Sequence, residues 1–235
     1  MASMTSRPIA AVGFDADDTL WHNEDQFQEV EGLFVAAVAP FASESEAHQA
    51  LFETESANLA LLGYGAKAFT ISMIEAAVRL SNGAIASLAL QRLVEGGKSI
   101  LSRPVELLDG VAEVIAATAA RCPIVLITKG ELLHQERKIV ESGLAAQFAG
   151  VHVVNEKDVP TYARILRDHA IDPASFVMVG NSVRSDLIPV LELGGRGVHV
   201  PYHVTWAHEH AAAEAPYVEI ARLTELPTVL DAMTS

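Results

Sequence analysis

Cysteine is almost absent from this chain. Cys122 is alone among 235 residues, so there is no internal disulfide and no cysteine-based zinc site. A reducing compartment is the natural expectation. Basic residues are scarce as well. Lys and Arg number 16 against 30 Asp and Glu, a formal net charge of −14. Such a chain is repelled by polyanions, which argues against nucleic-acid binding through a general basic surface. No run reaches the roughly 18 consecutive apolar residues of a membrane span. Residues 1–8 are polar, with Arg7 alone before a short apolar run that ends at Asp15; that is too little for a signal peptide. The expectation is a soluble, cytoplasmic protein with neither a membrane nor a nucleic-acid partner. Aromatic residues make up 6%, which marks no sticky surface, and the oligomeric state stays open.

What is present supports a packed core. Half the residues are hydrophobic and 20% are charged, a balance opposite to that of disordered chains. The length suits one large domain, or a core with a smaller insertion. Short apolar runs with polar ends recur: residues 9–14 before Asp15, 123–128 before Lys129-Gly130, 151–154, 176–179 before Gly180-Asn181, and 197–200 before Pro201. These predict buried parallel strands. Helical patterns alternate with them over 110–120, 131–142 with Gly143 as C-cap, 159–169 with Tyr162, Ile165 and Leu166 on one face, and 186–193 before Gly194-Gly195. Residues 217–233 read as a closing strand or helix pair. The alternation predicts an α/β fold, a Rossmann-like, doubly wound parallel sheet with helices on both faces.

Residues 21–104 break the rhythm. They read as four helices, over 24–41, 43–62, 66–80 and 84–101, punctuated by Pro40, Gly63-Tyr64-Gly65 and Ser81-Asn82-Gly83. An all-helical cap domain inserted into a core of residues 1–20 and 105–235 is the expectation, with Pro104 as the return hinge. Residues 21–62 hold eight acids and no Lys or Arg, whereas 63–104 hold Lys67, Arg79, Arg92, Lys98 and Arg103 against Glu75 and Glu95. Two readings stand: a solvated acidic face beside a mixed one, or a second half that meets an anionic substrate.

Open α/β sheets bind ligands beyond the carboxyl ends of their strands. The polar residues there are Asp15, Asp17, Asp18 and Thr19, then Thr128, then Lys157, then Asn181, Ser182 and Asp186. Carboxylates, a hydroxyl and an ammonium together suit a hard divalent cation and a phosphoryl group. Magnesium prefers one or two carboxylates plus waters and substrate phosphates, and Lys157 would offset charge on the phosphate.

The run Phe14-Asp15-Ala16-Asp17-Asp18-Thr19 resembles the first motif, DxDxT, of the haloacid dehalogenase superfamily. Thr128 resembles its second motif, Lys157 its third, and Gly180-Asn181-Ser182-Val183-Arg184-Ser185-Asp186 its fourth. The order and strand placement match, and the insertion looks like that family's C1 cap. The resemblance implies a magnesium-dependent phosphatase acting on a small phosphate ester. Asp15 would be the nucleophile and Asp17 the general acid and base. Thr128 and Lys157 would hold the transferring oxygens, helped by backbone N–H groups near Ala16, Asp17 and Lys129. Magnesium would lie on the Asp15 carboxylate, the Asp17 carbonyl and Asp186, with Asn181 either touching it through water or orienting Lys157 or Asp186. The dehalogenase branch lacks an acid at the Asp17 position and needs no magnesium, so Asp17 favours the phosphatase. Many relatives carry Asp where Asn181 stands, which predicts weaker metal affinity here.

The remaining assignments are humbler. Asp18 reads as a turn or cap beside the nucleophile loop, and Thr19 as a hydroxyl that bonds the loop backbone. Ser182 helps orient the site or serves only turn chemistry. Tyr64 and Lys67, in a Gly-rich interhelical loop, are substrate-binding candidates or ordinary turn residues. Trp21 and His22 line the entrance or pack the hinge. His199, His203, His208 and His210, with Trp206, read as a loop packed on the core or a subunit contact. Cys122 reads as buried filler. Two alternatives remain beside the phosphatase: a phosphomutase, in which Asp17 returns phosphate to substrate, and a non-catalytic phosphate-binding regulator.

Overall fold

The computed structural model describes residues 8–204 and 213–234. Among them, six strands form one sheet: β1 (Ala11–Phe14), β2 (Ile124–Lys129), β3 (Gly150–Val154), β4 (Phe176–Gly180), β5 (Arg196–His199) and β6 (Val218–Glu219). Their order is β3-β2-β1-β4-β5-β6, and every neighbouring pair is parallel. The chain builds outward from β1 through β2 to β3, then returns to lay β4 on the other side of β1. That reversal opens a crevice at the carboxyl ends of β1 and β4, where doubly wound sheets hold ligands. No helix among the described residues is long and apolar enough to cross a membrane.

Strand alternation feeds two apolar layers. Val12 and Phe14 of β1, Ile124 and Leu126 of β2, and Val177 and Val179 of β4 face one layer. It is completed by Val114 and Ile115 of α5 (Val111–Ala119) and by Leu226 and Leu230 of α9 (Leu226–Thr234). Ala11, Val125, Ile127, Phe176 and Met178 face the other, against Tyr162, Ile165 and Leu166 of α7 (Val159–Asp168) and Val190 of α8 (Ile188–Glu192). The helical face expected over 159–169 is therefore the face that packs. Each Val, Leu, Ile, Phe or Met among them, when fully buried, contributes roughly 1.5–3 kcal/mol.

Two compact units divide the chain. The sheet unit runs to Glu24 and takes in Val105–Lys129 and everything from Gln135 onward; the helical unit comprises Asp25–Pro104 with Gly130–His134. The helical unit carries α1 (Glu24–Val38), α2 (Glu44–Leu62), α3 (Ala66–Leu80) and α4 (Ser87–Ser102), around a core of its own that includes Phe34, Leu51, Met73, Leu93 and Ile100. A capping box starts α2. The Ser43 hydroxyl accepts from the Glu46 N–H at 3.4 Å, and the Glu46 carboxylate accepts from the Ser43 N–H at 2.8 Å.

One predicted helix has a different shape. The segment expected as a single helix over 186–193 is a π-helical turn, Val183–Leu187, followed by α8. Pro189 has no N–H to give the Ser185 carbonyl four residues back, and the Tyr162 hydroxyl donates to that carbonyl instead, at 3.2 Å. Ser182 caps the turn, its hydroxyl accepting from the Ser185 N–H at 3.0 Å. The π turn places Asp186 one turn after the end of β4.

Gly13 lies in the middle of β1 between two bulky neighbours. A Cβ there would sit 2.4 Å from the Phe176 ring and 2.9 Å from the Met178 sulfur, and both side chains are fully buried. Gly13→Ala is expected to lower unfolding free energy by about 1–3 kcal/mol through overpacking. Chemical denaturation of the variant checks this; wild-type stability would show that the ring can move aside.

Candidate active site

Four chain segments meet at the crevice between β1 and β4. Asp15 follows β1 directly, held by its own N–H donating to the Val179 carbonyl at 2.9 Å. Asp186 comes from the π turn after β4 and is 1% exposed. One of its oxygens accepts from the Ser182 N–H at 3.0 Å. Gly180 makes this possible, because a Cβ there would lie 2.2 Å from the same carboxylate oxygen. Lys157 arrives from the loop between β3 and α7. Its position is fixed by Asp158, the N-cap of α7, whose carboxylate accepts from the Thr161 N–H at 2.9 Å.

Lys157 is the centre of charge. Its ammonium donates to Asp15 Oδ1, and to Asp186 Oδ1 at 2.6 Å, with all three side chains at most 7% exposed. The two carboxylates hold the ammonium well above its ordinary pKa, against the opposing effect of burial. Two carboxylates sharing one cation cannot both be well served. Burial, together with repulsion from Asp186, pushes the Asp15 carboxyl up to about 7 in spite of Lys157. Thr19 supports the other Asp15 oxygen, its hydroxyl donating at 3.0 Å. The same hydroxyl accepts from the Asn181 N–H at 3.0 Å and lies 3.3 Å from the Asn181 amide oxygen. Thr19 thus bonds a backbone group, as expected, but across the crevice, and it touches the Asp15 carboxylate as well.

Asp17 is held by a separate set of donors. Oδ1 receives the Trp21 indole N–H and the Lys138 ammonium, each at 2.6 Å, and Oδ2 receives the Gln135 amide at 2.8 Å. Burial alone would raise its pKa, but Lys138 and the hydrogen bonds of Lys138, Gln135 and Trp21 outweigh it and hold the carboxyl below the usual range. Gln135 and Lys138 belong to α6 (Leu132–Glu141) and were not singled out in the sequence. Their spacing looks like that of any amphipathic helix.

Asp18 is the turn and cap it reads as. It adopts a left-handed φ of 62°, and its carboxylate accepts from the N–H groups of Asn23 and Glu24 at 2.9 and 3.0 Å. Its burial pushes the carboxyl up to about 7. Leu20 and His22, either side of Trp21, tie the exit of this loop to the returning chain: the His22 N–H donates to the Glu106 carbonyl at 3.1 Å, and the Leu108 N–H to the Leu20 carbonyl at 3.0 Å.

The other candidates lie in several places. Thr128, 1% exposed, is the penultimate residue of β2, before Lys129. The Lys129 side chain, expected to matter less than its N–H, reaches the Ser185 hydroxyl at 2.9 Å and so joins the end of β2 to the π turn. Tyr64 and Lys67 belong to the helical unit, where the Lys67 ammonium pairs with Glu131 at 2.5 Å and its N–H donates to the same carboxylate. His199 bonds Glu219 at 2.9 Å and the Asn181 carbonyl at 3.0 Å, which packs it on the core. Trp206, His208 and His210 lie outside the described residues. Cys122 is half-buried, and burial raises its thiol pKa.

The donors suit a hard cation. Among the described residues no three His, Cys, Asp or Glu side chains form a ready cage. Two carboxylates, Asp15 and Asp186, converge, and the Asn181 amide oxygen adjoins them through Thr19. An all-oxygen set with two carboxylates fits magnesium, which keeps waters and substrate oxygens as its other ligands, and does not fit zinc.

Comparison with known proteins agrees with this geometry. The family model for haloacid dehalogenase-like hydrolases matches residues 9–194. A search of curated proteins returns no match. A haloacid dehalogenase-like family hydrolase from Xanthomonas campestris is 42% identical, with 98% of this chain and 94% of that one covered and a TM-score of 0.88. A 2-haloacid dehalogenase from Pseudomonas syringae is 23% identical over 95% of this chain and 99% of its own, TM-score 0.62. A magnesium-bound HAD-hydrolase from Bacillus subtilis is 16% identical over 96% of this chain and 100% of its own, TM-score 0.66. The last two speak to the fold alone. With the family model spanning most of its length and the four motif segments gathered at one crevice, this chain belongs to the haloacid dehalogenase-like hydrolases.

Proposed function

We propose that the chain is a magnesium-dependent phosphatase that hydrolyses a small phosphorylated metabolite through an aspartyl-phosphate. The observation that supports this most is Asp17, a second carboxylate on the nucleophile loop with three donors of its own. A dehalogenase on this fold has no task for such a group. A proton donor and acceptor two residues from the nucleophile is what two-step phosphoryl transfer requires.

In the first step an Asp15 oxygen attacks phosphorus in line, the bond from phosphorus to the leaving oxygen breaks, and that oxygen takes a proton relayed by Asp17, which is ionised in the free protein and gains the proton from the incoming ester monoanion. In the second, Asp17 takes a proton from water, whose oxygen bonds to phosphorus while the bond to Asp15 breaks. Its low-lying carboxyl is the form this second step uses. Thr128, Lys157 and the N–H groups of Ala16, Asp17 and Lys129 hold the transferring oxygens. Magnesium, held by Asp15, the Asp17 carbonyl and Asp186 with Asn181 nearby, would supply charge neutralisation between the anionic nucleophile and the anionic ester. Ser182 orients Asp186. The helical insertion acts as the C1-type cap that selects substrate. For Lys67 to meet an anionic group there, it exchanges its bond to Glu131.

The test is release of inorganic phosphate from a panel of phosphorylated metabolites, with magnesium and with a chelator. Release that needs magnesium is expected, and Asp15→Asn is expected to lower it about a thousandfold or more while leaving the fold intact. Chloride release from a 2-haloacid without magnesium, and no phosphate release, would overturn the phosphatase reading. Magnesium-dependent interconversion of phosphate esters without free phosphate would instead identify a phosphomutase.

Magnesium binding itself is expected to depend on pH. The metal takes the Asp15 carboxylate, whose proton leaves only near pH 7 in the metal-free protein. Affinity is therefore fully present above that pH and is lost below it, with the dissociation constant rising toward about tenfold per unit of pH. Calorimetry at pH 6 and pH 8 checks this, with Asn181→Asp expected to tighten binding at both. Affinity that does not change with pH would show that Asp15 is already ionised or is not a ligand.

A further inference from the structure

We propose that Lys138 and Gln135 of α6 are positioning residues that fix Asp17 for its proton transfer. This rests on the phosphatase reading. Three residues apart on one helix, they share a face, and both side chains are buried, Lys138 at 6% and Gln135 at 3% exposure. Neither faces solvent as an ordinary surface residue of an acidic protein does. The Lys138 ammonium is divided between Asp17 Oδ1, at 2.6 Å, and the Asn23 amide oxygen, at 3.1 Å.

Gln135 does two things with one amide nitrogen. It donates to Asp17 Oδ2 at 2.8 Å and to the Lys129 carbonyl at 2.7 Å. Both contacts need the nitrogen, so the amide orientation is settled. Lys129 is the last residue of β2, next to Thr128. Gln135 therefore ties the acid/base carboxylate to the strand end that holds the transferring group. Trp21, donating to Oδ1 at 2.6 Å, blocks a third direction. With both oxygens engaged, the Asp17 side chain has one orientation, set by Gln135 and Lys138 of α6 together with Trp21 of its own loop. A proton-transfer group displaced by about an ångström loses much of its effect, so these two residues govern the step in which the leaving oxygen receives its proton.

A purely structural role would predict something else. Lys138 and Gln135 would then close α6 onto the loop, and their loss would lower stability and all activities together. Leaving groups separate the two. An alkyl phosphate needs a proton as its bond to phosphorus breaks, whereas p-nitrophenyl phosphate departs as a stable anion. The parameter kcat/KM reports steps up to leaving-group departure. We would compare Lys138→Met and Gln135→Leu with wild type in the full chain, with magnesium, on one alkyl ester that the wild type hydrolyses and on p-nitrophenyl phosphate. The expected result is a loss on the alkyl ester at least tenfold greater than on the aryl ester, in each variant that folds, as judged by circular dichroism. Equal losses on both esters would overturn the proposal and leave the phosphatase standing. Failure of wild type to release phosphate from any ester would overturn the phosphatase reading, and this proposal with it. Gln135→Leu keeps every charge, so a folding defect confined to Lys138→Met still leaves the comparison decisive.

Discussion

An ammonium buried between two carboxylates organises the sheet unit. Lys157, Asp15 and Asp186 are almost fully removed from water, and any one of them left alone there would be costly by several kcal/mol. The arrangement tolerates no slack, so the elements that carry these groups are fixed on every side. Asp15 is pinned by the Val179 carbonyl and Thr19, Asp186 by the Ser182 N–H, and Lys157 by the cap of the helix that follows it. The parallel order of β1 and β4 gives the crevice, but the charges decide how closely the loops approach. Gly180 shows the tightness, since the space a methyl group would need is taken by the Asp186 carboxylate.

The fold was legible where one physical signal dominated. Buried parallel strands are short apolar runs, and β1, β2 and β4 are such runs. The face of α7 follows from Tyr162, Ile165 and Leu166 at helical spacing, and it packs as that spacing requires. Half of the π turn was legible: Pro189, four residues on, leaves the Ser185 carbonyl without its helical donor, but Tyr162, 23 residues away in sequence, supplies the replacement. The same holds at the site. The segments that approach one another carry recognisable residues, and Asp15, Lys157 and Asp186 do meet. The partners of Asp17 do not advertise themselves. Gln135 and Lys138 sit in a helix whose polar residues look solvated, more than a hundred residues from the carboxylate they hold. Nothing in local spacing distinguishes an inward lysine from an outward one.

The fold leaves the reaction open, since a dehalogenase and a magnesium-bound hydrolase share it. Charge arithmetic says what each reaction would ask of this site. With Lys157 protonated and both its carboxylates ionised, the nucleophile's immediate surroundings carry one net negative charge. Asp17 and Lys138 cancel. A phosphate ester brings up to two further negative charges, and the attacking Asp15 must remain anionic as it arrives. A single ammonium that already serves two carboxylates cannot offset that, whereas a divalent cation on the same oxygens can. A haloacid brings one negative charge and a neutral carbon centre, so it makes no such demand. The two carboxyls differ for separate reasons: burial, with repulsion from Asp186, raises Asp15 despite Lys157, whereas Lys138 and the neighbouring donors overcome burial at Asp17. On the proposed phosphatase reading a metal on the Asp15 and Asp186 oxygens would supply the charge balance, so that reading and the magnesium requirement stand or fall together.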